Sequence, residues 1–261
     1  MRTITIVNRK GGSCKTTTTV ELAYILATIC HQRVLVVDCD SQGDATSTLL
    51  GRGFDHDGTA AALQYGLEYY PDVIEQTDVQ GLDVLPAGES LAQVDMDCML
   101  GKMNPVFTRL RDLMACLAED DFYDVVLMDC PPYYSLSCIN AIVAADYVII
   151  PTTLDAYSTV GMQSLLAQIR DLRTICPNVK VAGALITRYK NNDVSQDAES
   201  YLREEFPVRV FQTVIRRSED KMEECTWAGK SSQEWSPFCN CAKDYRALVR
   251  ELIELEVLPH E

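Results

Sequence analysis

The sequence contains no apolar run approaching the roughly 20 residues that cross a bilayer, so no spanning helix is expected. It has no C-x-x-C spacing, although it carries 11 cysteines. Cys239-Asn240-Cys241 is a close pair with no metal-ligand framework around it, and Cys30, Cys116 and Cys176 sit inside apolar runs. Reduced thiols in a cytosolic protein are the expected state. The first residues pass straight into a strand pattern, which leaves no secretory leader, so a cytoplasmic location is expected. Basic residues are scarce: 23 Lys and Arg stand against 38 Asp and Glu, a net charge of −15. That argues against broad affinity for nucleic acid or anionic membrane, but leaves room for a local basic patch. Repeats and low-complexity linkers are lacking too. With 261 residues, 47% of them hydrophobic, the chain can bury the core of one large α/β domain, and no boundary divides residues 1–261.

What is present centres on residues 3–17, TITIVNRKGGSCKTT. A β-branched apolar run (Ile4 to Val7) stops at a glycine-bearing turn, Asn8 to Cys14. Lys15-Thr16-Thr17 then opens a segment of helical periodicity through Val20, Leu22, Ala23, Leu26 and Ala27. Strand, glycine-rich turn and Lys-Thr at a helix start form the layout of a phosphate-binding loop. Helix N-termini present free N–H groups and partial positive charge, and glycines let the backbone curl around a phosphate. Lys15 would reach the terminal phosphates and the Thr16 hydroxyl would bind Mg²⁺. The plainer account, a Lys/Thr helix cap with no ligand, leaves the later acidic segments unexplained.

The common loop is G-x-x-x-x-G-K-[ST], and its two glycine positions here hold Arg9 and Cys14. What remains, Lys10-Gly11-Gly12-Ser13-Cys14-Lys15-Thr16-Thr17, resembles the deviant Walker A loop K-G-G-x-x-K-[ST] of the ParA/Soj and Min partitioning and positioning ATPases. In that family a second lysine, where Lys10 stands, crosses a dimer interface to the partner's nucleotide. The resemblance therefore implies ATP and Mg²⁺ as ligands and an ATP-dependent homodimer. Cys14 departs from the pattern at a position that can demand unusual backbone angles. Oxidation or alkylation of its thiol is expected to switch nucleotide binding off.

Arg33 to Asp38 (RVLVVD) is continuously apolar, as a strand buried on both faces is. It ends in Asp38-Cys39-Asp40-Ser41-Gln42-Gly43-Asp44. In a parallel sheet the loops at strand carboxyl ends line the ligand crevice. The segment resembles the family's D-x-D-P-Q-G-N-A, with Ser41 for Pro and Asp44 for Asn. The resemblance implies that Asp40 orients the attacking water and that Asp38 lies near the Mg²⁺ shell. Tyr123 to Asp129 (YDVVLMD), followed by Cys130-Pro131-Pro132, has the Walker B pattern, with Asp129 holding Mg²⁺ through a coordinated water.

Further strands are expected at Leu82–Pro86, Asp146–Pro151, Val179–Thr187 and Val208–Ile215. Helices are expected at Thr59–Tyr65, Glu89–Met99, Val106–Leu117, Ser135–Ala144, Ala156–Ile175, Val194–Phe206 and Tyr245–Leu255. Tyr65, Tyr69 and Tyr70 read as a packing cluster. In the family the loop after the Val179–Thr187 strand helps to hold adenine, which makes Thr187 and Arg188 candidates. Eleven of the 23 basic residues follow position 180. By the resemblance, Arg188, Lys190, Arg216, Arg217 and Lys221 contact DNA phosphates without reading sequence. A solvated charged face is the alternative, and Glu219, Asp220, Glu223 and Glu224 favour it.

The expected fold is a single doubly wound, mostly parallel sheet flanked by helices, a P-loop NTPase. The expected function is an ATPase of plasmid, chromosome or mobile-element partitioning. Hydrolysis would time the lifetime of a DNA-binding dimer, with a ParB-like centromere-binding protein as partner and nucleoid association while DNA is bound. A Min-type membrane role would need a basic amphipathic C-terminus, and Glu251 to Glu261 is acidic. Two other readings stay open. One is a nucleotide-dependent scaffold with little hydrolysis and no DNA binding. The other is a reductase resembling nitrogenase iron protein, with Cys98 and Cys130 as cluster ligands.

Overall fold

A computed structural model describes residues 1–51, 58–69, 72–155 and 158–260. Tyr70 of the expected aromatic cluster, Ala156 at the expected helix start and Glu261 lie outside the described residues. The chain opens with β1 (Arg2–Ile6), α1 (Lys15–Thr28), β2 (Val34–Asp38), α2 (Asp44–Leu50) and α3 (Gly58–Tyr65). There follow β3 (Glu75–Gln76), β4 (Leu82–Leu85), α4 (Glu89–Met99), α5 (Arg109–Glu119), β5 (Val125–Asp129) and α6 (Leu136–Ala144). The last third holds β6 (Tyr147–Thr152), α7 (Ser158–Leu172), β7 (Lys180–Ile186) and α8 (Asp193–Glu205). It ends with α9 (Glu219–Ala228), α10 (Ser232–Trp235) and α11 (Asn240–Glu254). The seven strands run in the order β3-β4-β2-β5-β1-β6-β7, all neighbours parallel except β3 and β4.

Period-two alternation decides which way each strand residue faces. Val34 and Val36, with Val125 and Leu127, pack on the side that carries α1 and α11. Leu35 and Val37, with Val126 and Met128, pack against α3 to α7 on the other side. Asp38 and Asp129 continue the first series, so both point toward α1. Register sets them side by side, since Asp38 pairs with Asp129 across β2 and β5. Ile6, the last residue of β1, pairs with Asp129 from the other side. The crevice at the strand carboxyl ends is therefore acidic on its floor and faces the start of α1.

Three expectations are corrected. Val208–Ile215 is not a strand: only single bridges join Ala184 to Val210 and Tyr189 to Arg216. Between them, Gln212 and Thr213 donate their amides to the Glu251 carboxylate of α11 (2.6 and 2.8 Å) instead of a ladder. The last helix begins at Asn240, not Tyr245, and is capped by the Cys239 sulfur accepting from the Ala242 amide. Tyr65 is 51% exposed, so packing does not account for it. The C-terminal segment is fastened to α1 by Glu21, a buried carboxylate that accepts from the Ser232 amide, from its hydroxyl (2.7 Å) and from Gln233 (3.0 Å). Among the described residues no helix is long and apolar enough to cross a membrane.

Candidate functional site

The loop between β1 and α1 is built by its own polar side chains. Asn8 is fully buried; its Nδ2 donates to the Pro151 carbonyl (2.7 Å) and its Oδ1 accepts from the Lys10 amide (3.1 Å). Ser13 Oγ donates to the Lys10 carbonyl (3.1 Å), and Thr187 Oγ1 donates to the Ser13 carbonyl (3.2 Å). Thr187, a candidate for adenine contact, is 1% exposed and buttresses the loop from behind. An added Cβ at Gly11 or Gly12 would meet nothing within 4 Å, so the loop opens onto space. Gly12 has φ +72°, which glycine adopts at little cost.

Cys14 caps α1 with φ 64° and ψ 34°, left-handed backbone that costs a non-glycine residue about 1–2 kcal/mol. The loop thus keeps the geometry of the missing glycine with a small side chain in its place. Burial pushes the Cys14 thiol up, against the lowering effects of Thr187, Arg188 and Lys15. A thiol raised in this way is less often the thiolate on which oxidation or alkylation depends.

Two lysines leave the loop in different directions. Lys15 is 7% exposed, and its Nζ lies 3.4 Å from the Lys10 carbonyl, inside the curl. Lys10 points outward to the end of β6, where its Nζ meets Thr153 Oγ1 (3.0 Å) and the Asp155 carboxylate.

Thr16, on the first turn of α1, donates its hydroxyl to Asp129 Oδ2 (2.6 Å), and Thr19 lies 3.2 Å from Asp129 Oδ1. Asp38 accepts from the Thr46 amide (2.9 Å), the Thr46 hydroxyl (2.8 Å) and the Asp40 amide (3.1 Å), so it pins the loop that carries Asp40. Asp40 is 9% exposed and accepts the Gln42 amide at 3.1 Å. Among the described residues no group of three or more His, Cys, Asp or Glu is arranged to hold a metal ion. A cation here would take most ligands from phosphate and water, with one hydroxyl and one carboxylate from the protein. That donor set suits Mg²⁺ and not a tightly caged metal.

Burial raises Asp38 and Asp129 above the ordinary carboxylate range. At Asp129 the Asp38 charge adds to burial, while Thr16 and Lys15 oppose it. A carboxyl raised on folding contributes full stability only at acid pH, and loses it as pH climbs from about 4 through the raised value. Asp129→Asn is therefore expected to melt above the parent at pH 8 without nucleotide. The gap should close toward pH 5. Melting curves across that range check it, and a gap independent of pH would refute the assignment.

A cavity of about 450 Å³ adjoins the loop, lined by Cys14, Thr17, Arg188, Arg216, Trp227 and Tyr245 among others. A second, of about 370 Å³, runs past Lys10, Gly11, Gly12, Asp155, Arg188 and Lys190. The arrangement can seat a phosphate chain on the loop and a base or sugar in the first cavity. Neither Asn8 nor Trp227 stands out in the sequence, where one is a loop-end asparagine and the other one of two tryptophans.

A family model described as an AAA domain matches residues 1–181. The chromosome partitioning protein ParA of Caulobacter vibrioides is 32% identical over 259 residues, spanning 98% of this chain and 95% of that protein. The chromosome-partitioning ATPase Soj of Thermus thermophilus is 34% identical over 258 residues, spanning 97% and 96%. The chain belongs to the ParA/Soj family. Among solved structures, the cobyrinic acid a,c-diamide synthase of Mycobacterium smegmatis with bound ATP analog and magnesium has a TM-score of 0.78 at 27% identity. The match covers 97% of this chain and 94% of that one.

Four of the five basic residues expected to touch DNA line the cavities beside this ParA/Soj-type loop. Arg188, Arg216 and Arg217 line the larger cavity and Lys190 the smaller. Arg216 is gripped by Asp244 (Nη2 to Oδ1 2.6 Å), and Lys221 pairs with Glu224 at 2.8 Å. Cys98 is half-buried on α4, whereas Cys130 is fully buried with Cys39 and Cys138 in the core. A thiol so enclosed cannot bridge a cluster between subunits, which removes the reductase reading.

Proposed function

We propose that the chain is one ATPase domain over residues 1–261 that dimerises on Mg²⁺-ATP, binds DNA without sequence preference while dimeric, and is released by hydrolysis. The names of its relatives, a ParA and a Soj, support partitioning of DNA as the setting. The observation that carries the reading is the split between the two lysines. Lys15 is enclosed by its own loop, while Lys10 stands on the rim, its side chain 34% exposed, where a facing copy can meet it.

Lys15 and the amides of Gly11 to Thr17 would neutralise the phosphates of the subunit's own nucleotide, and Lys10 those of the partner. Phosphoryl transfer to water needs little more than such neutralisation and an aligned nucleophile. Asp40 would align the water. Thr16 and Asp129 would hold Mg²⁺, with Asp38 beside them, and the ion would supply further charge neutralisation. Adenine would enter the cavity between Cys14 and α9. The partner would be a ParB-like centromere-binding protein in the cytoplasm. Arg188, Lys190, Arg216, Arg217 and Lys221 would meet DNA phosphates. Asp244 and Glu224 compete for two of these, so binding should be salt-sensitive.

Co-sedimentation with non-specific duplex DNA at low salt, with ATP, ADP or no nucleotide, tests the reading. Retention with ATP alone is expected. ATP-induced dimerisation with neither retention nor phosphate release would instead indicate a nucleotide-dependent scaffold.

A further inference from the structure

The loop that carries Asp40 is held from outside itself. On one side of Asp40, the Cys39 carbonyl accepts the Ser137 hydroxyl at 2.8 Å. On the other side, Ser41 Oγ lies 3.1 Å from the Tyr133 hydroxyl. Both partners belong to the segment that follows Asp129, and Ser135 extends the first contact through Ser137 Oγ (2.7 Å). Asp40 is thus bracketed by two residues tied to the loop leaving the other acidic strand end.

The two ties differ in kind. Ser137 is 1% exposed at the start of α6 and is fixed by its helix and its surroundings. Tyr133 is 45% exposed, so the core does not hold its ring. Among the described residues its hydroxyl bonds Ser41. Burial pushes that hydroxyl above the ordinary tyrosine value and the Asp40 charge pushes it further, with the Ser41 bond opposing, so it stays protonated at neutral pH. Ser41 itself places no restraint on its backbone of the kind a proline ring would impose. The bond from Tyr133 supplies a restraint from outside.

We propose that Tyr133 is a positioning residue for hydrolysis: through Ser41 it sets the direction of the Asp40 carboxylate and couples it to the loop that follows Asp129. This rests on the reading of Asp40 as the residue that orients water. Movement of the loop after Asp129 then reaches the Ser41 side of Asp40 through the exposed Tyr133 hydroxyl, while the Ser137 bond holds the Cys39 side. Neither Ser41 nor Tyr133 lines the two cavities beside the phosphate loop, so nucleotide affinity is expected to stay unchanged when the bond is removed.

The test is a mutant cycle on the full chain: Tyr133→Phe, Ser41→Ala, and both together, with Asp40→Ala alongside. Each single change should lower kcat for ATP about 3- to 10-fold, the worth of one net hydrogen bond. KM and the melting temperature should stay as in the parent. The double variant should be no slower than either single, because one bond is being removed. Tyr133→Phe should have no further effect in the Asp40→Ala background. An unchanged kcat, additive losses, or a parallel loss of nucleotide affinity would overturn the proposal while leaving the role of Asp40 intact. Full turnover in Asp40→Ala would instead overturn the reading beneath it, and the inference with it.

Discussion

Asp40→Ala is expected to slow phosphate release from ATP by about 10²-fold or more, the usual contribution of one positioned acid–base or orienting group. The side chain is a good candidate for so large an effect because it is held and not swinging. Its amide donates to Asp38 Oδ1 (3.1 Å), its Oδ1 takes the Gln42 amide (3.1 Å), and its carbonyl takes the Gly43 amide (2.9 Å). Removing the carboxylate leaves Lys15, Lys10 and the loop amides in place, so ATP should still bind and still close the dimer. The dimer should then outlive that of the parent, and DNA retention with ATP should rise. Phosphate release beside ATP-dependent size exclusion checks both halves. Turnover within a few-fold of the parent would refute the role, and loss of dimerisation would show that Asp40 holds the loop and does not serve the water.

Much of this site is legible because its parts obey local rules. A continuously apolar run that stops at an acid marks a buried strand's carboxyl end, which is how Asp38 and Asp129 can be placed at the crevice from RVLVVD and YDVVLMD; which face they take shows only in the packing of their neighbours. Glycine at 11 and 12, with Lys15-Thr16 behind them, states the turn and the helix start. Even Cys14 reads as a position that asks for glycine, and its φ of 64° bears that out.

What is not legible depends on partners distant in the chain. Glu21 looks like an ordinary residue of an amphipathic helix until Ser232 and Gln233 surround it. Thr187 sits at a strand end as a candidate ligand residue would, yet its hydroxyl is used by Ser13 and Thr152. Val208 to Ile215 has strand composition, but Glu251 from the far end of the chain takes two of its amides. Helix α9 (EDKMEECTWA) has too few apolar residues to show a period, so Trp227 beside the loop goes unseen. The basic residues after position 180 read as one patch by composition, whereas Asp244 and Glu224 divide them.

Lys10→Ala is expected to abolish ATP-induced dimerisation and to cut turnover by about 10²-fold or more, as removing a charge that acts on the transferred phosphate does. Binding of ATP to the monomer should change little, since Lys15 remains within its own loop. The bond to Asp155 sharpens this expectation. The Lys10 ammonium meets Thr153 and Asp155, and Thr153 Oγ1 itself donates to Asp155 Oδ2 at 2.6 Å. To reach a partner's phosphates Lys10 must leave that carboxylate. A pair this exposed is worth about 0–1 kcal/mol, so Asp155→Ala should strengthen ATP-dependent dimerisation by up to about 5-fold. The two ends of one ion pair are therefore expected to act with opposite sign. A pair that served only to hold β6 against the loop would weaken the protein equally from either end, with matching losses in melting temperature. Analytical ultracentrifugation of both variants with and without ATP separates these outcomes, and dimerisation weakened by Asp155→Ala would refute the trans role of Lys10.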